Sequence, residues 1–282
     1  LASDLASGGV IEISSGSGAY DGGDLSLSSG SSGASSGGNV IVTSGQSDSL
    51  ASGTIHLASE KSGSSGEIIM STGSASNGAS GELTLSTGEA EGSSGKVTVS
   101  SGNSVSTDGS EVRVSAGTSD IAQGGSFIAS AGSGAVGGEV LLSSGAGSTG
   151  SGGNVRLVAE GGSDMSSGGN VFVSSGENGG AISVNSGTST DRIGGDVGIS
   201  AGSSVDEMGG NIGILSGSSQ SSVGGSVDMI GGAGASVGGS MKLSGGVGVS
   251  QGGNLDLRTG SSSDGVSGMI SLKSEDGSSS GS

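Results

Sequence analysis

The residues that could do chemistry are few in this 282-residue chain, and they do not form a catalytic pattern. Cysteine is absent, which excludes thiolate nucleophiles, thiolate zinc sites and disulfide bonds. Serine is abundant, but serine hydrolysis also needs a base with an acid to orient it. The only histidine, His56, falls at an outward-facing position of a predicted strand, with no pocket implied. We therefore predict no catalytic residues and no enzymatic activity.

Carboxylates and amides recur at one position of a repeated pattern that is defined below. Like charges on neighbouring rungs of a sheet repel, which would leave room for a divalent cation such as Ca²⁺. Calcium takes six to eight oxygen ligands, and this spacing does not assemble them. We expect a solvated edge and predict no metal or cofactor site. The residues concerned are Asp24, Glu67, Glu82, Glu111, Glu139 and Asp196, with Asn39, Asn154, Asn170, Asn211 and Asn254.

Charge and composition exclude two classes of partner. The formal net charge is −18, from 26 acidic and 8 basic residues, which argues against binding a phosphate backbone. The only aromatic residues are Tyr20, Phe127 and Phe172, so bases have no stacking platform. No run of about 18 apolar residues is present, so we predict no membrane span.

The 67 glycines suggest a flexible linker, but the chain has a regular period. A Gly, or once a Ser, preceded by Gly or Ser, marks each of 19 repeats and recurs on average every 14.4 residues. We call this residue the anchor and number other positions from it. The anchors are Gly9, Gly23, Gly38, Gly53, Gly66, Gly81, Gly95, Ser110, Gly125, Gly138, Gly153, Gly169, Gly180, Gly195, Gly210, Gly225, Gly239, Gly253 and Gly268.

Positions +2 and +4 from the anchor are apolar in all 19 repeats, and position +6 is always small. Position +7 is Gly in 16 repeats and Glu in the other three, at Glu60, Glu160 and Glu275. Strand side chains alternate, so +2, +4 and +6 would share one face of a short strand. Glycine at +7 and at the anchor would allow positive φ or tight bends at the strand ends. The Glu variants read as tolerated bend substitutions.

A strand with one apolar face must stack on others to bury it. The fold class predicted is therefore all-β: a parallel β-solenoid forming one continuous array over residues 1–277, with a Ser/Gly tail at 278–282. We favour two repeats per coil, with one per coil and an antiparallel meander as alternatives. A local hairpin could pair 171–173 with 182–184. We expect a further apolar column at position −2 to close the core edge: Val136, Ile193, Met208, Val223, Val237 and Val266.

The unit Gly-Gly-x-[VIL]-x-[VIL]-x-[SA]-Gly, as in Gly152–Leu157 and Gly224–Met229, resembles Gly/Ser-rich repeat proteins of unicellular algae and related protists. The resemblance extends over nearly the whole chain and carries over no functional residue. It implies an extracellular structural protein, of the kind found in flagellar hairs or cell coverings.

These observations predict a structural protein that is part or all of an extracellular or cell-surface filament, appendage or coat. Its partners would be further copies or other subunits of the same assembly, and its Ser-rich bends could carry O-linked glycans. We expect the chain to be stable mainly within that assembly, as a subunit or as a segment of it. The alternatives are a surface adhesin stalk and an ice-binding solenoid.

Overall fold

The computed structural model of the chain describes residues 8–162 and 167–274, and these contain neither an α-helix nor a β-strand. The predicted parallel β-solenoid is therefore wrong, with either number of repeats per coil. The chain divides into two units, Leu1–Val140 and Leu141–Ser282, and the same repeat runs through both. Glu275 and the predicted tail at 278–282 lie outside the described residues.

The repeat is present as a regular series of bends joined by irregular, extended segments. One bend or turn occurs per repeat at 17 places in the described ranges, mostly at positions +10 to +12. The apolar positions +2 and +4 lie in the segments between them. The bends are at 19–20, 33–35, 48–50, 62–64, 76–78, 91–92, 105–107, 120–122, 134–136, 148–150, 177–179, 190–192, 205–207, 220–222, 235–237, 249–250 and 263–265.

Thirteen of the 17 bends lie in a loop whose two ends are joined by a backbone hydrogen bond. The anchor N–H donates to the carbonyl oxygen of the +7 residue of the preceding repeat, for example from Gly38 to Gly30 at 2.9 Å and from Gly225 to Gly217 at 2.8 Å. Fourteen such bonds are present among the described residues, and the linkers that end at Gly66, Gly81, Gly95 and Ser110 lack one. Where the bond is made, the Ser-rich linker from +7 to the next anchor is a closed loop, which we call the closed linker.

The extended segments do not bury their apolar side chains. The accessible surface is 28093 Å², whereas a folded chain of 25.8 kDa would expose about 10,500 Å² and an unfolded one about 37,000 Å². No described side chain is buried, and Ala159 at a +6 position is the only described residue less than about a third exposed. Two apolar residues per repeat offer little burial against the cost of ordering about 14 residues, many of them Gly.

Two expectations about the interior are corrected by this exposure. The −2 column was expected to close a core edge, but its six side chains are 82–96 % exposed. The small residues at +6 were expected to face inward; they lie instead against the next anchor, at the neck of the closed linker. Their size is therefore required by the closure of a local loop rather than by packing between sheets.

The predicted hairpin region contains the turn but not the strands. A turn covers 177–179, where Asn178 has φ 63° and Gly179 has φ 99°. Two successive left-handed residues of the type Asn-Gly are typical of a type I′ turn. These are the only positive φ values among the described residues, so the other repeat ends do not use the positive φ that glycine would allow.

Candidate functional site

The residues that could do chemistry are exposed and scattered. His56 and the carboxylates at +1 all lie on the surface. No group of three His, Asp or Glu side chains that could hold a metal ion occurs within 8–162 and 167–274. The two ion pairs of the described residues are local, Arg113 with Glu111 and Arg258 with Asp256, and exposed pairs of this kind contribute little. The structure thus brings no catalytic constellation together in its described part.

The closed linkers are the most regular local feature, and the anchor glycine is what permits them. A Cβ added at Gly38, Gly138 or Gly210 would lie 3.3 Å from the Cβ of the +6 residue, closer than nearly all real Cβ contacts. A Cβ added at any described +7 glycine would meet nothing within 4 Å. Glycine is therefore needed at these anchors by close approach, while +7 has room for a side chain. This explains why Glu60 and Glu160 are accommodated there.

Hydroxyl groups at +6 bridge the two ends of three linkers, one that also has the backbone bond and two, ending at Gly95 and Ser110, that lack it. Ser29 Oγ donates to the carbonyl oxygen of Gly38 at 2.8 Å, and Ser101 Oγ donates to that of Ser110 at 3.0 Å. Thr87 makes the equivalent bond to the next anchor at 3.3 Å. A small hydroxyl residue at +6 thus both fits against the anchor and satisfies its carbonyl oxygen.

Serine at +9 shapes the tip of the closed linker. Its Oγ accepts a hydrogen bond from the N–H three residues later at 2.8–3.2 Å, a turn in which a side chain replaces a backbone acceptor. Seven linkers share this bond, at Ser32, Ser47, Ser104, Ser119, Ser189, Ser204 and Ser219. The sequence pattern did not lead to a prediction of this role, although the recurrence of serine at +9 could have indicated it.

Other linkers have glycine at +9 and a different tip. A Cβ added there would lie only 2.0–2.3 Å from the carbonyl oxygen of the residue three positions later, at Gly18, Gly147, Gly234 and Gly248. No side chain fits these positions without a change of backbone. Serine and glycine at +9 therefore specify two kinds of tip, both compact.

No protein-family model, curated protein or solved structure matches this chain. The resemblance to Gly/Ser-rich structural repeat proteins therefore stays a prediction. No helix long and apolar enough to cross a membrane is found in the described part of the chain.

The two apolar columns, at positions +2 and +4, form the candidate interaction surface. Side chains at +2 are 46–68 % exposed apart from Ile11, while the apolar side chains at +3 are 73–88 % exposed. The alternation expected from the sequence is therefore visible in which side chains are partly covered. In an isolated chain, however, both columns remain open to water, and apolar surface of this extent marks an interaction site.

One place in Leu141–Ser282 brings columns of different repeats together. Val184 and Val197, from two successive repeats, line a concavity with Met229, Met241 and Leu243, from the repeats that lie three further along. A smaller polar recess also joins linkers three repeats apart, with Thr149 and Ser151 facing Arg192. We call the first of these the column cleft.

Proposed function

We propose that the chain is a non-enzymatic structural protein that self-associates through its two apolar columns. The observation that carries this proposal is their exposure: an apolar residue at both +2 and +4 of every repeat, none of them buried in the described residues. Removing apolar surface from water is the main driving force of association. In the isolated chain the two columns remain in contact with water, so association between copies can bury them.

The closed linkers support this proposal because they organise each repeat locally. Every linker that closes brings its two ends to within hydrogen-bond distance, so successive apolar segments are presented at a regular interval along the chain. A structural repeat protein needs such an interval, because it allows the same contact to be repeated many times.

An extracellular or cell-surface location, in a filament, appendage or coat, belongs to the same proposal. It is supported by the resemblance of the repeat unit to structural proteins of algae and related protists. The hydroxyl-rich linkers are exposed, so O-linked glycans could be attached there. Antibody labelling of intact source cells would detect the chain at the surface if this location is right, and only after permeabilisation if it is wrong.

The test of self-association uses the full chain in a concentration series, measured by sedimentation velocity and negative-stain microscopy. We expect the mass to rise above 25.8 kDa with concentration and ordered particles to form. Apolar burial also predicts a negative heat-capacity change, measured by calorimetric dilution at several temperatures. A chain that stays monomeric at every concentration refutes the proposal and favours the adhesin or ice-binding alternatives.

A further inference from the structure

The column cleft is a tertiary surface rather than one side of a single segment. It joins side chains at +2 and +4 from repeats that are separated by about 45 residues, all within Leu141–Ser282. Met229 and Leu243 there are 53 % and 57 % exposed, among the lowest values in the +4 column. More than half of the surface of each of these two side chains is therefore available to a partner.

Two opposite charges line the same cleft. Asp228 and Lys242 occupy the +3 positions of adjacent repeats and flank the two methionines. Neither forms an ion pair with another described residue; Asp228 only accepts a hydrogen bond from Ser226 Oγ at 3.4 Å. A surface with one charge of each sign is self-complementary, because a two-fold pairing places Asp228 of each copy against Lys242 of the other.

The amount of exposed surface also indicates that the partner is another copy of this chain. Reaching the exposure of a folded protein of this mass would require burying about 17,600 Å² more, whereas even large obligate interfaces bury about 2,000–5,000 Å². One foreign partner at one site would leave most of the columns uncovered. Further copies of the chain, which carry the same columns, can cover them repeatedly.

We propose that the column cleft docks the column cleft of a second copy of this chain, with Asp228 and Lys242 paired reciprocally around an apolar centre formed by Met229, Met241 and Leu243. This inference rests on the proposed self-association and deepens it by naming the surface and its occupant.

The first experiment reverses the charges in the full chain and measures self-association by sedimentation velocity. Asp228→Lys and Lys242→Asp alone should each weaken self-association about tenfold, because each places like charges in contact twice per pair. The double reversal should restore it to within about twofold. The two single variants move the net charge in opposite directions, from −18 to −16 and −20, so overall repulsion cannot weaken both. Failure of the double variant to recover overturns the reciprocal pairing.

The second experiment tests the apolar centre. Met241→Lys should weaken self-association about tenfold, since a charge would be placed in an apolar contact. The matched control is Met208→Lys, which makes the same substitution in the −2 column, outside the cleft and 87 % exposed; it should leave self-association unchanged. Equal behaviour of the two variants, in a wild-type chain that does self-associate, overturns the cleft as the docking surface. A wild-type chain that does not self-associate refutes the proposed function itself.

Discussion

Alanine substitutions at the two ends of one closed linker should have opposite effects. Gly210 N–H donates to the carbonyl oxygen of Gly202 at 2.9 Å, and neither residue has positive φ. A Cβ at position 210 would lie 3.3 Å from Ala201 Cβ and 3.4 Å from Gly202 N, whereas a Cβ at position 202 would meet nothing within 4 Å. Gly210→Ala should therefore open the linker, and Gly202→Ala should not.

The expected magnitudes follow from one hydrogen bond and one loss of backbone freedom. A net contribution of about 0.5–1.5 kcal/mol from the bond corresponds to a slowing of amide exchange at position 210 by about 2- to 13-fold. Gly202→Ala lowers the conformational entropy of the open chain, which favours the closed linker by about 0.4–1 kcal/mol. Protection of the amide at position 210 should therefore be preserved or increased. Gly210→Ala restricts the open chain by the same amount, but its Cβ would prevent the close approach that the hydrogen bond needs. The amide at position 210 should therefore exchange at about its intrinsic rate.

Residue-resolved amide exchange by NMR on dilute monomer measures both variants. The Glu207 amide provides an internal reference, because it is bonded to Ser204 Oγ at 2.9 Å within the same linker and should change little in Gly202→Ala. Equal protection at position 210 in the two variants would refute the argument that the anchor requires glycine for close approach. An unprotected amide at position 210 in the wild-type chain would refute linker closure.

Three further predictions concern the linkers, the net charge and the surface ion pairs. Ser204→Ala should speed exchange of the Glu207 amide about 2- to 13-fold, and Ser203→Ala, which removes a hydroxyl with no such bond, should not. Raising salt from 0.01 M to 0.15 M should strengthen self-association measured by light scattering. The net charge is −18, and repulsion between copies is screened as the Debye length falls from about 30 Å to about 8 Å. Weaker self-association at the higher salt would contradict this argument. Arg113→Gln removes the exposed pair with Glu111 and should change self-association by less than about fivefold in the same assay.

The period and the apolar alternation could be predicted from the sequence, and the strands could not. Alternation at +2, +4 and +6 is a local pattern, and it does appear as lower exposure at +2 than at +3. Whether that face is buried depends on a partner sheet, which no local pattern specifies. The chain without a partner keeps the local bends and leaves the face open. The alternation was therefore a sound prediction of sidedness and a wrong prediction of a closed fold.

Composition alone could not distinguish the roles of the anchor and +7 glycines. The anchor and +7 glycines look equivalent in sequence, and both were expected to allow positive φ or tight bends. Distances separate them: the anchor is crowded by the +6 residue, and +7 is open. The presence of Glu60 and Glu160 at +7 was a signal for this difference, because a position that needed positive φ would rarely accept Glu.

Linker closure and column exposure together explain why the repeat has its composition. The anchor glycine, the hydroxyl at +6 and the serine at +9 make contacts within one linker, so they shape a repeat without any core. The apolar residues at +2 and +4 contribute to none of these bonds, and serine there would leave every linker intact. Their presence in all 19 repeats, beside a mixed +3 column, is therefore unexplained by the isolated chain. Contact with further copies gives those residues a physical role, and a variant with serine at +2 and +4 should keep its linker protection while losing self-association.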